Sequence, residues 1–167
     1  MATPTNLPAT QTSGNVLTAA WLNDLRGAFR ILQVVSASTS TAVASSSSTL
    51  ADTGLTATIT PQSSSSKILV YVAHPQCFKA TPNGFTSMNL AILRGSTNIQ
   101  TVATVAGFTG TSQDLVFSLS GIALDSPATT SATTYKTQFA SQFGTASVSV
   151  QYGSAGTSTI ILMEVSA

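Results

Sequence analysis

The chain holds one histidine and one cysteine, close together in the run His74-Pro75-Gln76-Cys77. An imidazole near a thiol can act as a nucleophilic pair, because the ring can take the thiol proton. Such a pair needs a third group to orient the imidazole, and nothing nearby offers one. A strand end at Pro75 is an ordinary place for both side chains, so packing is their expected role. One histidine and one cysteine also fall short of the three or four ligands of a zinc site. No metal or other cofactor is expected.

The acids are Asp24, Asp52, Asp114, Asp125 and Glu164. Glycan cleavage would need two carboxylates at a set separation, and none of these is paired along the chain. Asp52 before Thr53-Gly54 and Asp125 before Ser126-Pro127 read as turn-shaping residues. The run GFTGTSQD has glycines but no lysine, so it does not fit a phosphate-binding loop. Phe85 and Phe108 sit in glycine-containing stretches and are candidates for contact with a sugar or a partner protein. Their plainer role is to anchor those loops. The expectation is a protein without catalytic activity.

The elements that would position these residues are mostly strands. Apolar residues make up 43% of the 167 and charged residues 7%, against about 25% charged in ordinary soluble domains. The surface must therefore be covered by Ser, Thr, Asn and Gln. Arg26, Arg30, Lys67, Lys79, Arg94 and Lys136 never cluster, and the formal net charge is +1. Nucleic-acid binding, which needs several cations on one face, is not expected. No stretch reaches the roughly 18 apolar residues of a membrane span. The N-terminal MATPTNLPATQ lacks a basic region followed by an apolar run. Synthesis in a cytoplasm without export by the usual route is the expectation, and a lone cysteine forms no internal disulfide.

Residues 1–16, with Pro4 and Pro8, read as an extended arm. Residues 17–32 predict a short amphipathic helix. Thr18 is a plausible N-cap, and Trp21, Leu22, Leu25, Phe29 and Leu32 recur at helical spacing on one face. Gly27 weakens or ends it, and a helix this short is marginal alone in water. Its apolar stripe needs a partner, either its own domain or, the favoured reading, copies from sister subunits. Residues 33–167 predict a β domain. Leu55, Ala57 and Ile59 alternate with threonines, Pro61 and Ser63 to Ser66 make a turn, and KILVYVAH follows as an apolar run. Met88, Leu90 and Ile92 share a face. Leu115, Phe117 and Leu119 share another before Gly121, which suggests a bulge. Tyr135, Thr137 and Phe139 alternate, as do Val148, Val150 and Tyr152. Eight or more short strands imply a β-sandwich of the jelly-roll kind. Two of them, Lys67 to His74 and Ser158 to Val165, look apolar on both faces, which favours a tight oligomer.

The run from Asp52 to Val70, DTGLTATITPQSSSSKILV, resembles a motif of tailed-bacteriophage virion surface proteins of the fibre or decoration type. SGNVLTAAWLNDLRGAF resembles their leader helix and LAILRGST their central strand. LDSPATTSATTYKTQF and the terminal IILMEVSA resemble their closing strands. The resemblance implies a homotrimeric, non-enzymatic protein of the particle surface with a jelly-roll head. The chain starts at Met1 with about 30 residues before its β domain, which suits a capsid decoration or short head-fibre protein. In that reading the N-terminal arm grips the major capsid protein or another virion protein. Alternatives are a tail-fibre tip that recognises a host-surface glycan and a carbohydrate-binding β-sandwich module.

Overall fold

A computed structural model describes residues 31–81, 84–143 and 146–166. The arm over 1–16 lies outside them, as do Trp21, Leu22, Leu25 and Phe29 of the expected helix. Leu32, assigned to that helix from its spacing, stands in a strand. The run ILQVV is rich in residues that suit a pleated surface, and it pairs with the C-terminal strand from Ile31 opposite Val165.

Ten strands follow in order: β1 (Ile31–Thr39), β2 (Val43–Ser45), β3 (Ala51–Ile59), β4 (Lys67–Lys79) and β5 (Ser87–Arg94). Then come β6 (Thr97–Ala106), β7 (Leu115–Asp125), β8 (Thr133–Gln142), β9 (Val148–Val150) and β10 (Ser158–Val165). One sheet runs β1-β10-β4 with β7 on the far side of β4; past the end of β10 the short β9 pairs with β4, and β2 pairs with β9. The other runs β3-β8-β5-β6. All pairings are antiparallel. Two antiparallel sheets of this order, with the chain passing from one to the other, form a jelly-roll sandwich. The architecture matches the sequence expectation.

The alternation of residue types does the sorting, because successive side chains of a strand point to opposite faces. Leu55, Ala57 and Ile59 of β3 and Ile68, Val70 and Val72 of β4 point inward, as do Tyr135 of β8 and Ile160 and Leu162 of β10; together they form one apolar cluster. Cys77, Met88, Leu90, Phe139, Val148 and Val150 form a second. Two local expectations are corrected. Gly121 is no bulge, since it pairs in regular register with Val72. It is glycine because a Cβ there would lie 2.5 Å from the Val102 side chain. The irregularity lies in β4, which does not stop at His74 as expected. One extra residue is inserted between His74 and Cys77, so the missing N–H of Pro75 falls where the ladder is already interrupted. Ser118 Oγ donates to Pro75 O at 2.8 Å across the break. Likewise Asp52 and Thr53 lie within β3 rather than in a turn.

Between the two clusters a line of polar side chains crosses from sheet to sheet. The Leu55 N–H donates to Thr53 Oγ1 at 3.1 Å. Thr53 Oγ1 lies 2.6 Å from Thr137 Oγ1, and Thr137 Oγ1 lies 3.1 Å from His74 Nε2. The Gln151 amide is satisfied when its nitrogen donates to the carbonyls of Thr41 and Val150 at 3.1 and 3.2 Å and its oxygen accepts from Ser158 Oγ at 2.8 Å. The amide atom 3.3 Å from His74 Nδ1 is then the oxygen. Nδ1 therefore carries the proton, Nε2 accepts from the Thr137 hydroxyl, and the Thr53 hydroxyl donates to Thr137. Each proton along the line then has an acceptor, which is the condition for a buried polar network to be tolerated.

The network requires a neutral imidazole. Burial holds the His74 pKa down at about 4, from an ordinary 6.5. Above pH 6.5 the ring is neutral whether folded or unfolded. Between the two values the unfolded chain takes up a proton that the folded one refuses, so stability falls with pH. A gap of this size corresponds to about 3 kcal/mol. Denaturant unfolding at fixed protein concentration should therefore show a loss of that order between pH 6.5 and 4. The variant His74→Gln should lose much less across the same window. Parallel losses in both proteins would assign the acid sensitivity elsewhere.

Candidate functional site

The chemistry the sequence suggests does not assemble at His74 and Cys77. The thiol donates to the backbone oxygen of His74 at 3.6 Å, and the imidazole's polar partners are Thr137 and Gln151. Burial pushes the Cys77 thiol up to about 12, so it stays protonated at neutral pH and is no nucleophile. Both residues serve the core.

The described acids are held apart, each by its own partners. Lys136 Nζ lies 2.8 Å from Asp52 Oδ1, which also accepts from Gln138 Nε2. Lys136 first, then Gln138, hold that carboxyl below its ordinary value. Asp125 accepts from Arg94 at 2.9 and 2.7 Å and from the Tyr135 hydroxyl at 2.7 Å. This group ties β7 of one sheet to β5 and β8 of the other. Burial and then the Asp125 carboxylate hold the tyrosine proton on. Glu164 accepts from Gln33 Nε2 at 2.5 Å and from the Gln62 N–H at 2.8 Å. Burial alone would raise its pKa, but the hydrogen bonds outweigh it and the net shift is downward. Asp114 accepts from the Thr81 N–H at 2.7 Å, and Asp24 lies outside the described residues. Among the described residues no three His, Cys, Asp or Glu side chains gather as a metal would need, and no helix is long and apolar enough to cross a membrane.

Two surface features remain. The first is the loop end of the sandwich. Ile31, Lys67 and Val165 lie side by side at one end of the first sheet. The β4–β5 and β6–β7 loops project from the opposite end. There the rings of Phe85 and Phe108 meet with centroids 6.0 Å apart, inclined at 53°. They are 63% and 48% exposed. Twenty-three positions separate them in the chain, and nothing in their spacing announces the contact. The loops that carry them are locked together. Gly110 N–H donates to Gly84 O at 3.3 Å. A Cβ on Gly84 would meet the Thr111 backbone at 2.7 Å, so only glycine allows this approach. Beneath them Lys79 is fully buried, with Nζ donating to Thr109 Oγ1 and to Gly84 O. Its placement was not legible from the sequence, since an inward lysine breaks the usual pattern of burial. The result is a pair of exposed rings at the end of the sandwich opposite Ile31.

The second is the outer face of the β1-β10-β4-β7 sheet. In register across it stand Val34, Met163, Leu69 and Leu124. One row further stand Ser36, Ile161, Tyr71 and Ile122. The sequence reading took β4 and β10 as buried on both faces. Within one chain only their inner faces are buried, and this outer face stays half-exposed to exposed. Further along it, Phe78 stacks on Tyr152 at 4.0 Å, near the exposed Val116. A shallow groove of about 370 Å³ at its β7 edge is lined by Tyr71, Gln100, Val102, Ser120, Gly121 and Ile122. That lining carries no charge and suits contact rather than catalysis. The other sheet differs: the exposed positions of β3 and β8 include Asp52, Thr56, Thr58 and Thr134.

No family model matches this chain, and no curated protein does. Among solved structures, a chain of infectious bursal disease virus, Gx strain, superposes with a TM-score of 0.41 at 15% identity. The match covers 81% of this chain and 37% of that one, so this chain spans little more than a third of its length. A superposition at that level leaves family and function unassigned.

Proposed function

We propose that the chain is a non-enzymatic structural protein of a bacteriophage particle surface, a capsid decoration or short head-fibre protein working as a homotrimer. Its N-terminal arm, residues 1–16, attaches it to the major capsid protein or another virion protein. The observation that carries this reading is the polarity of the sandwich. The first described strand begins with Ile31 at one end, opposite Val165 of the last strand, and the Phe85–Phe108 loops occupy the other. An arm leading into Ile31 would thus stand at the end of the domain opposite an outward surface. The sequence resemblance to virion surface proteins supports it, as does a surface built on hydroxyls with few charges. An extended arm lying along a partner's groove can form backbone hydrogen bonds there. These contacts offset an ordering cost of about 1–2 kcal/mol per residue.

A second reading, a tail-fibre tip that recognises a host-surface glycan, is favoured by the exposed aromatic pair. Two inclined rings offer apolar faces to the C–H surface of a sugar ring.

Deleting residues 2–16 should leave the melting transition and the oligomer size unchanged. The truncated protein should no longer attach to particles that lack the protein. Attachment at full-length occupancy would show that the arm is not the anchor. Replacing both rings, Phe85→Ala with Phe108→Ala, separates the two readings. A tip would keep its place on the particle and lose at least tenfold in adsorption to host cells. A decoration protein would show no change in adsorption.

A further inference from the structure

We infer that Phe85, Phe108 and Phe143, set by three loops at one end of the sandwich, form a single binding surface for an uncharged oligosaccharide. The inference rests on the second reading above in taking the ring pair as a sugar-binding surface. It adds a third ring and the charge class of the ligand, and it does not depend on where in a particle the protein stands.

Phe143 belongs to this end by register. Gln142, the last residue of β8, pairs with Ser87, the first of β5, and residues opposite one another in a ladder stand about 5 Å apart. Phe143 and Phe85 therefore flank neighbouring strands at the same end. Hydrogen bonds hold the segment before β9 against the β4–β5 loop. The Ala146 N–H donates to Thr86 Oγ1 at 3.2 Å, and the Ala80 N–H donates to Ser147 O at 2.9 Å. The backbone at Phe143 is the unusual feature. Tyr135, Thr137, Phe139 and Ser141 are buried at alternate positions of β8, and the next inward place falls to Phe143. Its φ is instead 59°, a left-handed conformation that bulky residues rarely adopt, and the residue is 68% exposed. Strain of this kind collects where a ligand is held. A phenylalanine in phase with the core is thus turned out at the end that already carries the ring pair. Phe85, Phe108 and Phe143 are the exposed phenylalanines among the described residues.

Charge and size decide the ligand. Lys67 opens β4 and Arg94 closes β5, so both stand at the opposite end. Lys136 pairs with Asp52, and Lys79 is buried. Among the described residues no exposed cation therefore faces a ligand here. The exposed polar residues of these loops include Thr81, Thr111, Gln113 and Asp114. An acidic sugar or a phosphate would meet the Asp114 carboxylate and no counter-charge. The hydroxyls of a neutral sugar can donate to that carboxylate and exchange hydrogen bonds with the threonines and the amide, while its C–H face lies on the rings. A membrane fits less well, because interfacial segments combine apolar side chains with lysine and arginine. A protein partner is larger than the patch. The three rings expose about 350 Å² at roughly 200 Å² each, against about 800 Å² from each side of a stable protein interface. A short oligosaccharide suits that area.

The test applies the full chain, fluorescently labelled, to an array of immobilised neutral and acidic oligosaccharides, with phosphatidylcholine vesicles as a second probe. Binding should be confined to neutral oligosaccharides. Phe85→Ala, Phe108→Ala and Phe143→Ala should each weaken it about five- to tenfold, the size of one aromatic contact. Tyr71→Ala, on the outer face of the other sheet, should leave it unchanged. Phe143→Gly should bind as weakly as Phe143→Ala yet melt at a higher temperature, because glycine takes a positive φ without strain. That pair separates lost binding from lost folding. Binding to acidic oligosaccharides only would overturn the inference, as would capture by vesicles without glycan binding, or no binding to either probe. Glycan binding that survives Phe143→Ala but not the loss of the other two rings would overturn the three-ring surface and leave the second reading standing. Glycan binding lost in all three variants, with adsorption to host cells unaltered, would support the surface and overturn the fibre tip.

Discussion

The two sheets meet across a line of hydrogen bonds that runs Thr53, Thr137, His74, Gln151, Ser158. Apolar cores tolerate sliding, because one aliphatic contact substitutes for another. A chain of donors and acceptors does not, since a slip by one residue turns each strand's inner side chains outward and leaves buried polar atoms without partners. Thr53 sits on β3, Thr137 on β8, His74 on β4 and Ser158 on β10, so the network fixes four strands from both sheets at once. The extra residue in β4 beyond His74 lets the strand continue to Lys79 with Cys77 still facing inward, and Lys79 in turn holds the Phe85 and Phe108 loops. The position of the exposed rings thus traces back to the histidine.

Charge scarcity shapes the exterior in a related way. With few ion pairs available, the described ones are spent on joining elements: Arg94 and Asp125 join the sheets, and Lys136 and Asp52 join β8 to β3. Little charge is left for either sheet's outer face: the β3-β8 face is covered by hydroxyls, while the other carries two rows that are mainly apolar beside its serines and Thr159. The asymmetry follows from composition together with the register.

Much of the fold was legible because alternation is a direct reading of which side of a strand faces the core. Leu55, Ala57 and Ile59, or Tyr135, Thr137 and Phe139, announce both the strand and its buried face. Thr137 even stood at an inward position, a signal that the core contains something polar. Gln151 carried no such mark, because it sits at a turn with φ of 51° rather than in a strand. The continuation of β4 past Pro75 was hidden because a proline ordinarily ends a strand, and only a pairing partner reveals that the ladder is already broken there. Gly121 was misread for the same reason: its cause is a side chain from β6, far along the chain. The loop end combined both difficulties. Phe85 and Phe108 were visible as candidates from their surroundings, while their contact and the lysine beneath them depend on how distant loops meet.

The first described strand pairs along its length with the last. Ile31 lies opposite Val165 and Thr39 opposite Ser158, so β1 has no neighbour in its sheet until nearly the whole domain exists. Closing so long a loop is slow, and folds dominated by distant pairings reach the native state late. On the ribosome, β4 and β7 can pair early, but the sheet stays open at the edge where β10 must insert. Throughout that interval the apolar outer rows and the unpaired edge of β4 face solvent together. The waiting time is set by how quickly the C-terminal strand is synthesised and inserted, and this is the stage at which the domain is most exposed to aggregation.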